Sequence, residues 1–225
     1  MSGGAGTISN ISKNAFSHHL SNLSFEDKQK FLIGNAMFRK TWVSSPSSTK
    51  ASDGLGPLFN SRSCQSCHIK DGRGHLPSNN RPLSLVIKVG KYKNLNLIPD
   101  HIYGKQFQEF AIAGLSKEVE LDVSRREGII SIQNQIKYNI SEVLIKPLKF
   151  NYGDFDNYNS ISPRISPQVI GMGLLEAIKD EDILKKHDPL DQNKDGISGQ
   201  VNWYSSKTNY GNKNTIGRFG LRAAT

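Results

Sequence analysis

Ser63-Cys64-Gln65-Ser66-Cys67-His68 is the stretch on which the reading of this chain turns, and Asp53-Gly54-Leu55-Gly56-Pro57-Leu58-Phe59-Asn60-Ser61-Arg62 leads into it. It holds both cysteines of the chain, and a histidine follows the second directly. That is the C-x-x-C-H spacing of c-type haem attachment. Two thiols separated by two residues reach the two vinyl groups of one porphyrin and form thioether bonds. The next residue then sits under the ring, where an imidazole nitrogen ligates the iron. On this reading Cys64 and Cys67 are the tethers and His68 is the axial ligand.

Three other readings compete. A thioredoxin-like redox pair explains C-x-x-C but not the histidine, and it calls for a nearby βαβ pattern that is missing. A structural zinc site needs four ligands, usually as two pairs, and the second pair would have to come from scattered histidines such as His75 and His101. Two free thiols in a core are the plainest alternative. The short but specific spacing favours haem.

The wider sequence points the same way. Residues 53–60, the C-x-x-C-H itself and Lys70-Asp71-Gly72-Arg73-Gly74 closely resemble the bacterial di-haem oxidoreductases, a family of thiol oxidoreductases and peroxidases related to di-haem cytochrome c peroxidases. The likeness continues in Ser162-Pro163-Arg164, in Gly171-Met172-Gly173-Leu174-Leu175-Glu176-Ala177-Ile178, in Asp195-Gly196-Ile197-Ser198-Gly199 and in Gly217-Arg218-Phe219-Gly220. The resemblance implies covalent haem c, an exported and therefore periplasmic protein, an electron-transfer partner protein and a small oxidant such as peroxide. It also implies two haems, whereas both cysteines here serve one C-x-x-C-H. The expectation is one haem per chain, in a chain that looks like the N-terminal part of such an enzyme.

Composition fits a cofactor-bearing, loop-rich chain. Hydrophobic residues make up 36% of the sequence and glycines number 20. A haem would add an apolar slab to a thin core. Net charge is +9, from 29 Lys+Arg against 20 Asp+Glu. The basic residues are spread along the chain with no run of five or six, which reads as a solvated basic surface rather than a nucleic-acid site. Such a surface would steer an acidic electron-transfer partner. No apolar run approaches the roughly 20 residues of a transmembrane helix. No apolar signal segment follows Met1, so export implies a signal outside these residues.

Along the chain, Ser24 reads as the N-cap of a helix, with Asp27 as an imperfect capping-box partner and Phe31, Asn35, Phe38 and Trp42 as its inner stripe. Pro57 suits the first turn of a short helix carrying Leu58 and Phe59. Residues 83–89 read as a strand, with Pro77 and Pro82 keeping the approach to it extended. Residues 104–113 read as a helix with Phe107, Phe110 and Ala111 inward. Residues 119–123 and 129–132 alternate like the arms of a hairpin, and 143–145 begin another strand. Residues 169–178 and 180–187 read as helices. The fold class expected is α+β and mainly helical: one cytochrome c-like haem domain over residues 1–225, with β-hairpin excursions and long loops.

Weaker sites remain. Asp191, Asn193 and Asp195 stand at positions 1, 3 and 5 of an EF-hand-type calcium loop, with Gly196 at the turn. Position 12 is Asn202 rather than glutamate, and an Asx-rich turn explains the same residues. The resembling peroxidases hold calcium between their haems, which keeps calcium open. Glu176 lies in a family motif and is a weak candidate acid or base. Met172, His75 and His101 are possible sixth ligands, each better explained by packing or exposure. The function expected is electron transfer within a di-haem peroxidase-like oxidoreductase. The alternatives are a non-catalytic mono-haem carrier and a haem-free zinc or thiol module.

Overall fold

The computed structural model describes residues 3–76, 84–93, 96–132, 136–156, 160–208, 211–220 and 223. They form two compact units, residues 1–168 and 169–225. In the first, helix α1 (Phe25–Arg39) is followed by strands β1 (Val43–Ser44), β2 (Asp53–Leu55) and β3 (Leu58–Phe59) and by the one-turn helix α2 (Cys64–Cys67). Strands β4 (Leu85–Lys93), β5 (Asn96–Ile98), β6 (Phe110–Ala111), β7 (Val119–Ile132), β8 (Ile136–Phe150) and β9 (Ser160–Ile165) come next. The second unit holds α3 (Met172–Glu176), α4 (Asp180–Leu184) and the hairpin β10 (Trp203–Thr208) and β11 (Gly211–Ile216).

This is not the mainly helical, cytochrome c-like fold expected from the sequence. Apart from the 15 residues of α1, the described α-helices have four or five residues each, while β7 and β8 run for 14 and 15. The reason lies in residues 85–165, where β-branched and aromatic residues alternate with polar ones and the backbone is satisfied by neighbouring strands. Leu58 and Phe59 pair with Ala111 and Phe110 as a small antiparallel ribbon, not as a helix after Pro57. Residues 104–113 are not helical either: Phe107 N–H donates to Ile87 O, and Gln106 bridges Lys88. The alternating runs 119–123 and 129–132 are one strand, and both pair with β8 rather than with each other. Other expectations hold in part. Ser24 Oγ accepts from Asp27 N–H at 3.1 Å and starts α1, and β4 takes up the foreseen strand from Leu85 onward. Trp42 and Phe110, foreseen inward, are 37% and 40% exposed, and the helices foreseen at 169–178 and 180–187 are the short α3 and α4. Pro77, Pro82 and Leu83 lie outside the described residues.

The core of the first unit sits on one face of the sheet β5-β4-β9. Leu85, Ile87 and Val89 alternate inward from β4, opposite Ile165, Pro163 and Ile161 of the edge strand β9. Phe107 fills the centre with no exposure, its ring centroid 5.3 Å from Tyr103 and from Phe155 and 5.8 Å from Phe150. Val119 anchors the near end of the β7–β8 ribbon in this core, and Val123 on the same strand is buried too. Farther along, Ile129, Ile132, Ile136 and Tyr138 are exposed, and among the described residues the ribbon pairs with no third strand.

In the second unit Arg218 caps α3. Its guanidinium donates to Leu175 O at 3.0 Å and Ile178 O at 2.6 Å and pairs with Asp180. A cation on the last carbonyls of a helix satisfies groups the helix cannot pair itself. Among the described residues no helix is long and apolar enough to cross a membrane.

Candidate functional site

The site is built on α2. Ser63 Oγ accepts from Ser66 N–H at 3.1 Å, and His68 N–H closes the turn on Cys64 O at 3.0 Å. One helical turn therefore carries Cys64 and Cys67 three positions apart, on neighbouring ridges of the same face. Neither forms a disulfide; Cys64 is exposed and Cys67 half-buried. The approach to the turn is fixed by Trp42 N–H on Arg62 O at 2.8 Å and by Arg62 Nε on Trp42 O at 3.1 Å.

His68 is oriented from far along the chain. Its Nδ1 lies 2.6 Å from the carbonyl oxygen of Pro167. A carbonyl only accepts, so Nδ1 carries a proton, and in the neutral ring the lone pair is then on Nε2. Partners of this kind fix the tautomer and ring angle of metal-ligating histidines. The β4–β9 ladder sets the acceptor in place: Ser166 N–H meets Ser84 O at 3.3 Å, Gly74 N–H meets Ser166 O at 2.9 Å, and Pro167 follows. Gly74 allows this closeness. A Cβ there would stand 2.6 Å from Ser84 Cβ and 2.9 Å from Cys67 O. Between His68 and Gly74 the chain turns through Lys70 and Asp71, both left-handed at φ 53° and 63°.

Helix α1 supplies the aromatic wall. Phe31, Asn35 and Phe38 of the foreseen stripe are half-buried, no α1 residue is fully buried, and the Phe38 ring centroid lies 6.2 Å from that of His68. Leu32, Ile33 and Met37 are more than 60% exposed, so the helix keeps apolar surface in reserve. Two accessible thiols, an imidazole with a free Nε2 and an aromatic helix beside them fit a c-type haem. Zinc fits less well, since no group of three or more His, Cys, Asp or Glu side chains gathers among the described residues.

A second polar feature sits on the β3–β6 ribbon. Glu109 N–H donates to Asn60 Oδ1 at 3.0 Å, one step along the ladder from the stacked rings of Phe59 and Phe110. Glu109 is 8% exposed. Its Oε1 and the Nδ2 of Asn60 are buried without a partner, a situation that costs on the order of 1–3 kcal/mol for each atom. Burial pushes the Glu109 carboxyl up to about 7, with Lys117 pulling the other way.

Of the remaining predicted residues, Met172, Glu176 and the candidate calcium ligands lie in the second unit, and His75 and His101 in the first. Glu176 is exposed at the end of α3. Gly196 N–H donates to both carboxylate oxygens of Asp191, Asp195 N–H to Asn193 Oδ1 and Ile197 N–H to Asp195 Oδ1. Asp188 accepts from Gln192 and Asn193 N–H, which hold its carboxyl below the usual range. The loop closes on its own side chains as a series of Asx turns. His75 and His101 are exposed.

Sequence reasoning missed Pro167 and Glu109. The first acts through its backbone, which carries no side-chain signature, and the second is marked only by the burial that folding gives it.

Compared with known proteins, the chain matches the model of the family described as "Di-haem oxidoreductase, putative peroxidase" over residues 1–106 and 122–225. No curated protein and no solved structure matches it.

Proposed function

Since the chain belongs to the di-haem oxidoreductase family, whose function is redox and peroxidase-like, we propose that it binds one haem c covalently through Cys64 and Cys67, with His68 as axial ligand, and transfers electrons. The observation that carries this reading is His68, whose Nδ1 is committed to Pro167 while Nε2 is left to ligate, directly after two thiols on one helical turn.

When bound, the haem supplies one-electron chemistry and a place for a small oxidant such as peroxide. The chain's own residues do the rest. Cys64 and Cys67 tether, His68 orients, and the Phe38 ring packs beside that of His68. A net charge of +9 favours an acidic partner protein as electron donor, met in the periplasm where haem c is attached. Calcium at Asp191, Asn193 and Asp195 and acid–base work by Glu176 are not part of this reading, because the loop oxygens already accept main-chain N–H groups and Glu176 is exposed.

A single C-x-x-C-H in 225 residues favours a second reading, a mono-haem electron carrier without peroxidase turnover. One preparation tests both. Expression with haem-attachment machinery gives an intact mass increased by one haem and a c-type pyridine haemochrome spectrum that survives denaturation. The Cys64→Ala, Cys67→Ala variant loses both. A spectrum kept by that variant overturns covalent attachment, and sustained peroxide turnover by the isolated chain overturns the carrier reading.

A further inference from the structure

Glu109 and Asn60, joined by the Glu109 N–H on Asn60 Oδ1, each carry a buried side-chain polar atom with no hydrogen-bond partner, Oε1 and Nδ2. Folded proteins rarely leave such atoms orphaned, and where they do a role is to be sought. The pair is placed with respect to the haem-attachment turn by its own strand. Asn60 follows β3 and precedes Cys64 by four residues, at most about 14 Å of chain. The neighbouring residues Phe59 and Phe110 pair across the β3–β6 ribbon with stacked rings, which fixes the backbone that carries the pair.

Resting on the reading that haem is held at Cys64, Cys67 and His68, we propose that Glu109 is the proton-holding group of this unit, taking up one proton from water when the iron is reduced and returning it on oxidation. The balance is simple. One electron arrives from a one-electron donor and converts iron(III) to iron(II). One proton arrives from solvent and converts the Glu109 carboxylate to the neutral acid, so the charge of the site as a whole is unchanged. In a poorly screening interior an added electron favours such compensation. Asn60 positions the acid through its Oδ1 on the Glu109 N–H, and its free Nδ2 is a donor for the carboxylate form or for a bridging water.

The burial of Glu109 puts its midpoint at about 7, where proton uptake answers to small changes in field. Burial is the larger influence on it, and Lys117 acts the other way, favouring the carboxylate. Glu118 is engaged elsewhere, its Oε2 on the Gln108 N–H at 2.6 Å.

The experiment is a pH series of redox titrations on the full chain carrying covalent haem, wild type and Glu109→Gln, with an infrared difference spectrum between the two redox states. In the wild type the reduced-to-oxidised ratio at fixed potential falls with rising pH, by up to about tenfold per unit around neutrality where one proton accompanies one electron. A neutral-carboxyl C=O band appears on reduction. Glu109→Gln abolishes both. A flat wild-type potential, a slope that survives in Glu109→Gln, or the absence of the carboxyl band overturns the proposal. The band in the wild type decides alone should the variant not fold. A chain that takes up no covalent haem overturns the functional reading, and this inference with it; a haem-loaded chain with a flat potential overturns this inference only.

Discussion

The Nδ1 atom of His68 lies 2.6 Å from the carbonyl oxygen of Pro167, although 99 residues separate them in the chain. That bond joins the cysteine-bearing turn to the end of the central sheet. On the reading proposed above, the bond would present the ring to the iron already turned and in one tautomer.

His68→Ala removes the ligand but leaves both thiols. The expected product keeps its covalent haem, shown by an unchanged mass increase, and loses the normal axial-ligand absorption spectrum. Exogenous imidazole should restore that spectrum. Changing the Pro167 side chain leaves the carbonyl in place, so the bond is tested from the histidine.

Gly74→Ala should destabilise the first unit by about 1–3 kcal/mol, the usual cost of overpacking. The added methyl has no flexible neighbour to displace, because Ser84 Cβ and the Cys67 and Ser84 carbonyls face it. Urea denaturation reads the loss, and haem attachment should fall with it.

Glu109 gives stability a pH dependence of definite sign. Its folded pKa, about 7, lies above the ordinary 4.5. The folded state therefore binds the proton more tightly than the unfolded one, so the contribution is fully present below about pH 4.5 and is lost as pH rises through about 7. The loss is on the order of 2–3 kcal/mol. Glu109→Gln should flatten this stretch of the curve and be the more stable protein at about pH 8, checked by thermal melts across the range.

Phe107→Ala opens the centre of the core and should cost about 3–5 kcal/mol. Leu144→Ala, at a 36% exposed position on the ribbon, should cost far less. Chemical denaturation of the two variants checks the contrast.

What the sequence made legible was local. Cys64, Cys67 and His68 are near neighbours in sequence, so their place on and beside one helical turn follows from spacing alone; Ser24 announces α1 in the same way. Phe107 was correctly read as inward, but its spacing from Phe110 suits a helix turn as well as an extended segment. The open edge of β4 decided the matter by taking its N–H. In β7 the polar run 125–128 resembles a turn between two arms, yet β8 supplies a partner along the whole length. Strand pairing of this kind is a long-range choice, and one sequence records only one side of it at a time.

The β7–β8 ribbon carries a consequence for the way this unit loosens. Its near end is clamped by Val119, with Val123 buried on the same strand, while Ile129, Ile132, Ile136 and Tyr138 stand in solvent. A two-stranded ribbon has no intrinsic stability to spare, so protection of its amides against deuterium should decay along its length, from the value of the whole unit at Val119 towards almost none at Ile132. The ribbon then behaves as a zipper with a fixed lower stop: it opens from the far end and halts at the core, leaving the turn that carries Cys64, Cys67 and His68 undisturbed.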